Sequence, residues 1–170
     1  MSNDTSITGL FIIGCVLNGL LAVIHIYIFF LESILWRKRA AKVFRLPQTV
    51  VEQSAGLAAN QGFYNLLLAV GLIWGLIELN PQTLLLFSAA IFHAGIFGVI
   101  TASPRILFVQ VLPALLAFSS TDFGYFSPKN SSYCQQPYNL FSILIGSGLV
   151  TAVIAYSIKK YLLNPISKSS

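Results

Sequence analysis

Charge is what this sequence has least of. Only 9% of its 170 residues are charged and five are acidic, where soluble domains carry roughly 25% charged residues. So few charges cannot cover a globule of this size in water, which excludes a water-soluble fold. Cysteine is nearly absent too: Cys15 and Cys134 are the two in the chain, and neither belongs to a CxxC pair, so no zinc or thioredoxin-like site is available. There is no GxSxG, no phosphate-binding glycine loop and no paired acidic motif, which removes the common signatures of nucleophilic and nucleotide chemistry. The net charge of +5 does not point to nucleic acid. The basic residues sit at the ends of apolar runs, and none of them alternate with aromatics as a single-strand groove requires.

What the chain has in excess is apolar length. It is 56% hydrophobic, with a mean hydropathy of +0.78, and runs of about 18 residues or more recur, the length needed to cross ~30 Å of hydrocarbon as a helix. Five are predicted: Ile7–Trp36, Ala55–Leu79 ending at Asn80-Pro81, Thr83–Ala102, Pro104–Ser120, and Tyr138–Leu163. The fourth is short and holds Pro113, so a kink is expected there. Ser103-Pro104 before it reads as an N-cap followed by proline at the first helical position. The first run has no positive residue before Arg37 and exceeds a 7–15-residue signal core, so it is expected to be a span rather than a cleaved signal.

Lys and Arg fix the expected orientation. Arg37, Lys38, Arg39, Lys42 and Arg45 follow span one, Arg105 lies between spans three and four, and Lys159, Lys160 and Lys168 close the chain. With five spans these segments share one side, and Lys129 alone is left for the other, so the first set is expected in the cytoplasm and the N-terminus outside. The sequons Asn3-Asp4-Thr5 and Asn130-Ser131-Ser132 then both lie outside. Cys134 also lies outside and Cys15 in the outer part of span one, where a disulfide between them is conceivable.

Helices in lipid associate through small residues and polar contacts. In span two, Asn60, Gln61, Tyr64 and Asn65 fall within an arc of about 140°, with Gly71 and Gly75 in the same arc; this is expected to be the buried face of a central helix. Ala90, Ala94, Gly98 and Thr101 form a packing stripe on span three, Ser103, Gln110, Ala114 and Ala117 on span four, and Ser142, Gly146 and Gly148 on span five.

The polar residues concentrate at one depth. His25 and Glu32 share a face of span one within ~20°, in the cytoplasmic half, the same half as Asn60, Gln61, Tyr64, Asn65 and Gln110. Polar groups at membrane depth are costly and face the bundle interior. Three readings are open: interhelical hydrogen-bond glue, a pocket for a small amphipathic or lipid-like ligand, or a proton or ion path through His25 and Glu32. His25 and Glu32 stand two helical turns, ~10 Å, apart, too far to ligate one metal ion directly. His93 is expected to be a satisfied interior histidine. If the layer is catalytic, His25 is its proton-transfer group.

The segment His25-Ile26-Tyr27-Ile28-Phe29-Phe30-Leu31-Glu32, then Trp36, resembles the first helix of a family of small membrane proteins catalogued as domain of unknown function 1304. Ala59-Asn60-Gln61-Gly62-Phe63-Tyr64-Asn65 is similar to its ANQGxYN signature, and Ala94–Gly98 and Ile106–Ala117 resemble its third and fourth helices. The resemblance covers Leu10 to Phe118 and implies a four-helix membrane bundle without an established activity. Pro104 stands where a basic residue is expected, and Ser119–Ser170 extends the chain.

The reading is therefore an all-α, multi-pass transmembrane bundle: a four-helix domain over residues 7–118, an extramembrane loop over 119–137, and an appended helix over 138–163. The expected function is binding, or isomerising, a small hydrophobic or lipid-like molecule at His25, Glu32, Asn60, Gln61, Tyr64, Asn65, Arg105 and Gln110. The alternatives are a proton-coupled carrier and a structural or assembly subunit. No metal or cofactor is implied. The expected partners are the bilayer, a small hydrophobic ligand and a second copy of the chain.

Overall fold

The computed structural model describes residues 9–126 and 140–163, and every regular element in them is helical. Helix α1 (Gly9–Phe29) runs into a π-helical turn, Phe30–Ile34. Short α2 (Trp36–Phe44) precedes α3 (Gln48–Ile77) and α4 (Pro81–Thr101). A second π turn, Leu107–Val111, leads into α5 (Leu112–Phe126), and α6 (Leu140–Leu163) ends the described chain. Five stretches are long and apolar enough to cross a membrane. The chain is a multi-pass integral membrane protein.

Helices α1, α3, α4 and α5 form the core as a ring. Helix α1 packs on α3 and α5, α4 packs on the same two, and α1 and α4 barely meet across the centre. Helix α6 lies outside the ring, mainly against α4. The inward face of α1 is Phe11, Gly14, Asn18, Leu21, Ala22 and His25, the three-and-four spacing of one helical stripe. Opposite it, Ala114, Ala117 and Phe118 of α5 join Leu72, Leu85, Ile91 and Phe92 in one apolar cluster.

Glycines set how closely these helices approach. A Cβ at Gly14 would lie 2.8 Å from the Thr121 backbone nitrogen, and one at Gly124 would meet the backbone of Leu10 and Phe11. Gly71 receives the Phe87 ring, and a Cβ at Gly75 would lie 3.2 Å from the Leu84 backbone nitrogen. The expected GxxxG contact is thus made, between α3 and α4. All four glycines lie toward the end of the bundle that holds the α3–α4 turn, called here the far end; the opposite end carries α2.

The helix bounds differ from the sequence reading in three places, each for a local reason. Helix α3 begins at Gln48, seven residues before Ala55. Its first two turns hold Glu52 and Gln53, so they are helical without being apolar, and they dock α2: Trp36 Nε1 donates to the Val51 carbonyl at 3.0 Å, and Ala40 and Val51 are both fully buried. Helix α5 runs to Phe126 rather than Ser120, because Thr121 and Asp122 are buried against the bundle instead of leaving it. The break expected from Pro113 appears as the π turn just before it, since proline offers no N–H and its ring crowds the carbonyl four residues back.

Two packing stripes also differ. Ala90 and Ala94 are exposed, and α6 seats Leu144, Gly148 and Ala155 inward while Ser142 and Gly146 face out. Gly148 meets the rings and chains of Phe92 and Ile96. The proposed Cys15–Cys134 bond and both sequons involve residues outside the described ones.

Candidate functional site

The first π turn aims the polar residues of α1 at α3. A π turn inserts one residue into the helical repeat and so rotates the side chains beyond it; here Leu35 N bonds Phe30 O at 2.8 Å, five residues back. Glu32 and Ser33 both turn toward α3 as a result. Asn65 Nδ2 donates to Glu32 Oε2 at 3.0 Å and to the Gln61 carbonyl at 3.1 Å, and Ser33 Oγ donates to the Ala59 carbonyl at 3.2 Å. Gly62 makes this approach achievable. A Cβ there would run into Ser33 Oγ and lie 3.1 Å from Glu32 Cβ and 3.2 Å from the Phe29 carbonyl oxygen. Gly62 and Asn65 are three apart and share a face, so the ANQGxYN segment supplies the clearance and the hydrogen bond together.

The remaining predicted site residues disperse. His25 is fully buried, but its Nδ1 bonds the Leu21 carbonyl of its own helix at 2.9 Å, with no hydrogen bond to Asn60 or Tyr64. Arg105 is exposed and makes no ion pair with Glu32; the carboxylate takes its bond from Asn65 instead. The reason lies in the helix arrangement. Glu32 is on the α3 side of α1, whereas Arg105 precedes the π turn of α5, which packs on α4. Gln110 is half-buried within that turn. Asn60, Gln61 and Tyr64 are exposed. Among the described residues no group of three His, Cys, Asp or Glu comes together as a metal site.

The exposure of Asn60 and Tyr64 reflects a divergence of helices. Leu57, Tyr64 and Gly71 are seven apart and lie on nearly one line along α3. At Gly71 that line is covered by Phe87 of α4. One and two heptads toward the α2 end it is open: Tyr64 is 53% and Leu57 73% exposed. On α4 the line through Phe87 continues to Ala90, Ala94 and Phe97, all exposed. Helices α3 and α4 thus part toward the α2 end, where α4 turns to α5: a Cβ at Gly95 would lie 3.3 Å from the Val111 nitrogen. Leu57, Asn60, Tyr64 and Leu67 of α3 and Ala90, Ala94 and Phe97 of α4 are thus exposed on neighbouring helices. Gln61 sits between this exposed face and Asn65, so hydrogen-bonding groups run around α3 from it to Glu32.

The expected burial of this whole α3 face is therefore corrected: it is buried at Gly71 and Gly75 and open at Asn60 and Tyr64. A second polar contact was not foreseen. Asn18 of α1 is fully buried and its Nδ2 donates to the Gly14 carbonyl at 2.9 Å and to Thr121 Oγ1 at 3.1 Å. Thr121 Oγ1 in turn donates to the Ala117 carbonyl at 2.8 Å. The only sequence sign of it is Gly14 one turn before Asn18. His93 is satisfied, as expected, by the Ala89 carbonyl at 2.7 Å and by Ser147 Oγ of α6 at 2.8 Å.

Neither a curated protein nor a solved structure matches the chain. A family model does, described as protein of unknown function DUF1304, over residues 19–121. That match contains both π turns, the Glu32–Asn65 contact, Gly62 and the exposed faces of α3 and α4, and it stops before α6. The core ring with its opened end is thus the part the family defines, and the chain belongs to the family of domain of unknown function 1304.

Proposed function

We propose that the protein binds a single-chain, lipid-like molecule in a cleft between α3 and α4, walled by the exposed Leu57, Asn60, Tyr64 and Leu67 on one side and Ala90, Ala94 and Phe97 on the other. The observation that carries this reading is that Asn60, Gln61 and Tyr64 stand exposed within a membrane-length helix, continuous with the Glu32–Asn65 pair. Hydrogen-bonding groups at membrane depth are costly unless they meet a partner, and no other helix among the described residues supplies one. An amphipathic molecule would lay its chain along Leu57, Leu67, Ala94 and Phe97 and its polar end on Asn60, Gln61 and Tyr64. Glu32, fixed by Asn65, borders the polar end. His25 bonds its own helix, and Arg105 and Gln110 lie just before α5, so these three stand outside the cleft.

A photoactivatable single-chain lipid, offered to the detergent-solubilised full chain, tests this. Crosslinks are expected on α3 and α4 around Tyr64 and Ala94, and Ala94→Trp, which fills the cleft, is expected to remove them. Crosslinks spread evenly over the lipid-facing helices, unchanged by that substitution, would refute the reading.

The orientation that supports a ligand from the cytoplasmic leaflet places α2 inside and the α3–α4 turn outside. In a cysteine-free background, a membrane-impermeant thiol reagent applied to intact cells should label Glu78→Cys and not Lys38→Cys. The reverse pattern would invert the protein.

A further inference from the structure

The α2 end carries a second surface, apart from the proposed cleft. Helix α2 has four basic residues among its nine and begins two residues beyond the membrane-length stretch that ends at Ile34. At ~100° per residue, Trp36, Ala40, Val43 and Phe44 fall within an arc of about 100°. Lys38 and Lys42 lie opposite that arc, Arg37 and Arg39 flank it, and Arg45 follows at the end of the helix. All five basic residues are exposed.

Setting orientation in a membrane needs only the number of Lys and Arg beside a span. Here they are also held in place. Trp36 Nε1 donates to the Val51 carbonyl of α3 at 3.0 Å, the Trp36 ring lies 5.4 Å from that of Phe44, and Ala40 is fully buried. Among the described residues none of the five makes an ion pair or a side-chain hydrogen bond. The acidic side chains nearest along the chain are engaged elsewhere, Glu32 by Asn65 and Glu52 by Gln48. Lys38 and Lys42 stand one helical turn apart, where like charges repel and a shared anion relieves the repulsion. Arg45 holds the left-handed conformation (φ 56°, ψ 41°), which glycine adopts at less cost, so the backbone does not call for arginine there.

We infer that α2 is a docking surface for the anionic phospholipid of the leaflet beside it, with its Lys and Arg side chains donating to headgroup oxygens. Charge selects an anion, because Lys and Arg only donate hydrogen bonds. Position selects its source: α2 starts where a membrane-length stretch ends, and a cluster of four to eight basic residues there is what attracts anionic lipid. The surface is separate from the cleft between α3 and α4, and its test does not depend on that reading.

The test titrates dioctanoyl phosphatidylglycerol, and separately dioctanoyl phosphatidylcholine, into the detergent-solubilised full chain. The chain carries Trp74→Phe, so that Trp36 fluorescence is the readout. Phosphatidylglycerol should bind about tenfold or more tightly than phosphatidylcholine, with the difference shrinking as salt rises. Each basic residue near an anionic surface is worth about fivefold, so Lys38→Gln with Lys42→Gln should lower phosphatidylglycerol affinity by up to about 25-fold and leave phosphatidylcholine binding unchanged. The charge-matched pair Lys159→Gln with Lys160→Gln on α6 should change neither. Arg45→Gly should raise the thermal midpoint by easing the backbone, yet lower phosphatidylglycerol affinity about fivefold. Opposite signs there separate the role of the charge from that of the fold. Equal affinity for the two lipids, a preference that survives Lys38→Gln with Lys42→Gln, an equal loss from the α6 pair, or no loss from Arg45→Gly would each overturn the inference. So would displacement of the lipid by poly-glutamate at matched ionic strength, which would give the surface to an acidic protein segment instead.

Discussion

At the far end of the bundle α1 meets α5 at Gly14 and Gly124, and α3 meets α4 at Gly71 and Gly75, with neighbouring side chains or backbone pressed onto each glycine. At the α2 end the same helices carry two π turns, a carboxylate bonded to an amide, and a stripe of exposed Leu57, Asn60, Tyr64, Ala90 and Ala94. The α3–α4 pair is closed at the far end by removing side chains, whereas at the α2 end Gly62 and Gly95 close other contacts and the facing stripes of α3 and α4 are exposed. Glycine clearance permits van der Waals contact along a helix pair, which is what holds helices together in lipid. Where Leu57 and Tyr64 replace glycine on the same line, the partner helix has moved away. The difference teaches that a single helix face can serve packing at one depth and be left exposed at another.

The comparison breaks most visibly at a glycine. Gly75→Leu should destabilise the solubilised protein by about 3 kcal/mol through overpacking against Leu84, read as a large fall in thermal midpoint. Gly56→Ala is its control at the α2 end. Nothing lies near that position, so removing a helical glycine there should stabilise by up to about 1 kcal/mol. Equal responses at the two sites would erase the distinction between the ends.

A smaller effect is expected where the α2 end is fastened. Asn65→Leu removes the donor to Glu32 and leaves a half-buried carboxyl group unbonded, a cost of about 1–3 kcal/mol. Glu32→Gln in the same background should recover part of the loss, since the neutral amide is cheaper to leave unpaired. No recovery would mean that Asn65 acts through packing alone. Trp36→Phe should cost about 1 kcal/mol by losing the bond to the Val51 carbonyl, with hydrogen exchange rising over α2 and the first turns of α3 but not at the far end.

The smallest stability effect should come from the cleft itself. Tyr64→Phe is expected to shift stability by less than about 0.5 kcal/mol, as exposed substitutions do, while reducing crosslinking of the single-chain lipid. A large loss of stability with crosslinking intact would make Tyr64 a structural residue and the cleft an ordinary lipid-facing surface.

Much of the fold is legible in the sequence. Charge scarcity and the recurring apolar runs require a membrane bundle, because nothing else accommodates so much apolar length. The GxxxG spacing of Gly71 and Gly75 names a helix contact, whereas the seven-residue spacing of His25 and Glu32, which predicts a shared face, does not foresee the π turn that holds Glu32. Helix α2 is not legible: four basic residues in nine hide an amphipathic segment inside what reads as a loop. Nor are the pairs Asn18–Thr121 and His93–Ser147, whose members are 103 and 54 residues apart and carry no mutual spacing signal.

The sequence by itself determined how many stretches are long and apolar enough to cross a membrane and which residues are too polar to lie there without a partner, because both depend on hydration, residue by residue. Which partner each polar group finds was decided only by the tertiary structure. Arg105 and Asn65 are both expected in the half of the bundle that holds Glu32, but depth is one coordinate. The rotation imposed by the π turn and the ring order of α1, α3, α4 and α5 supply the others, and they send the carboxylate to Asn65 and leave Tyr64 exposed.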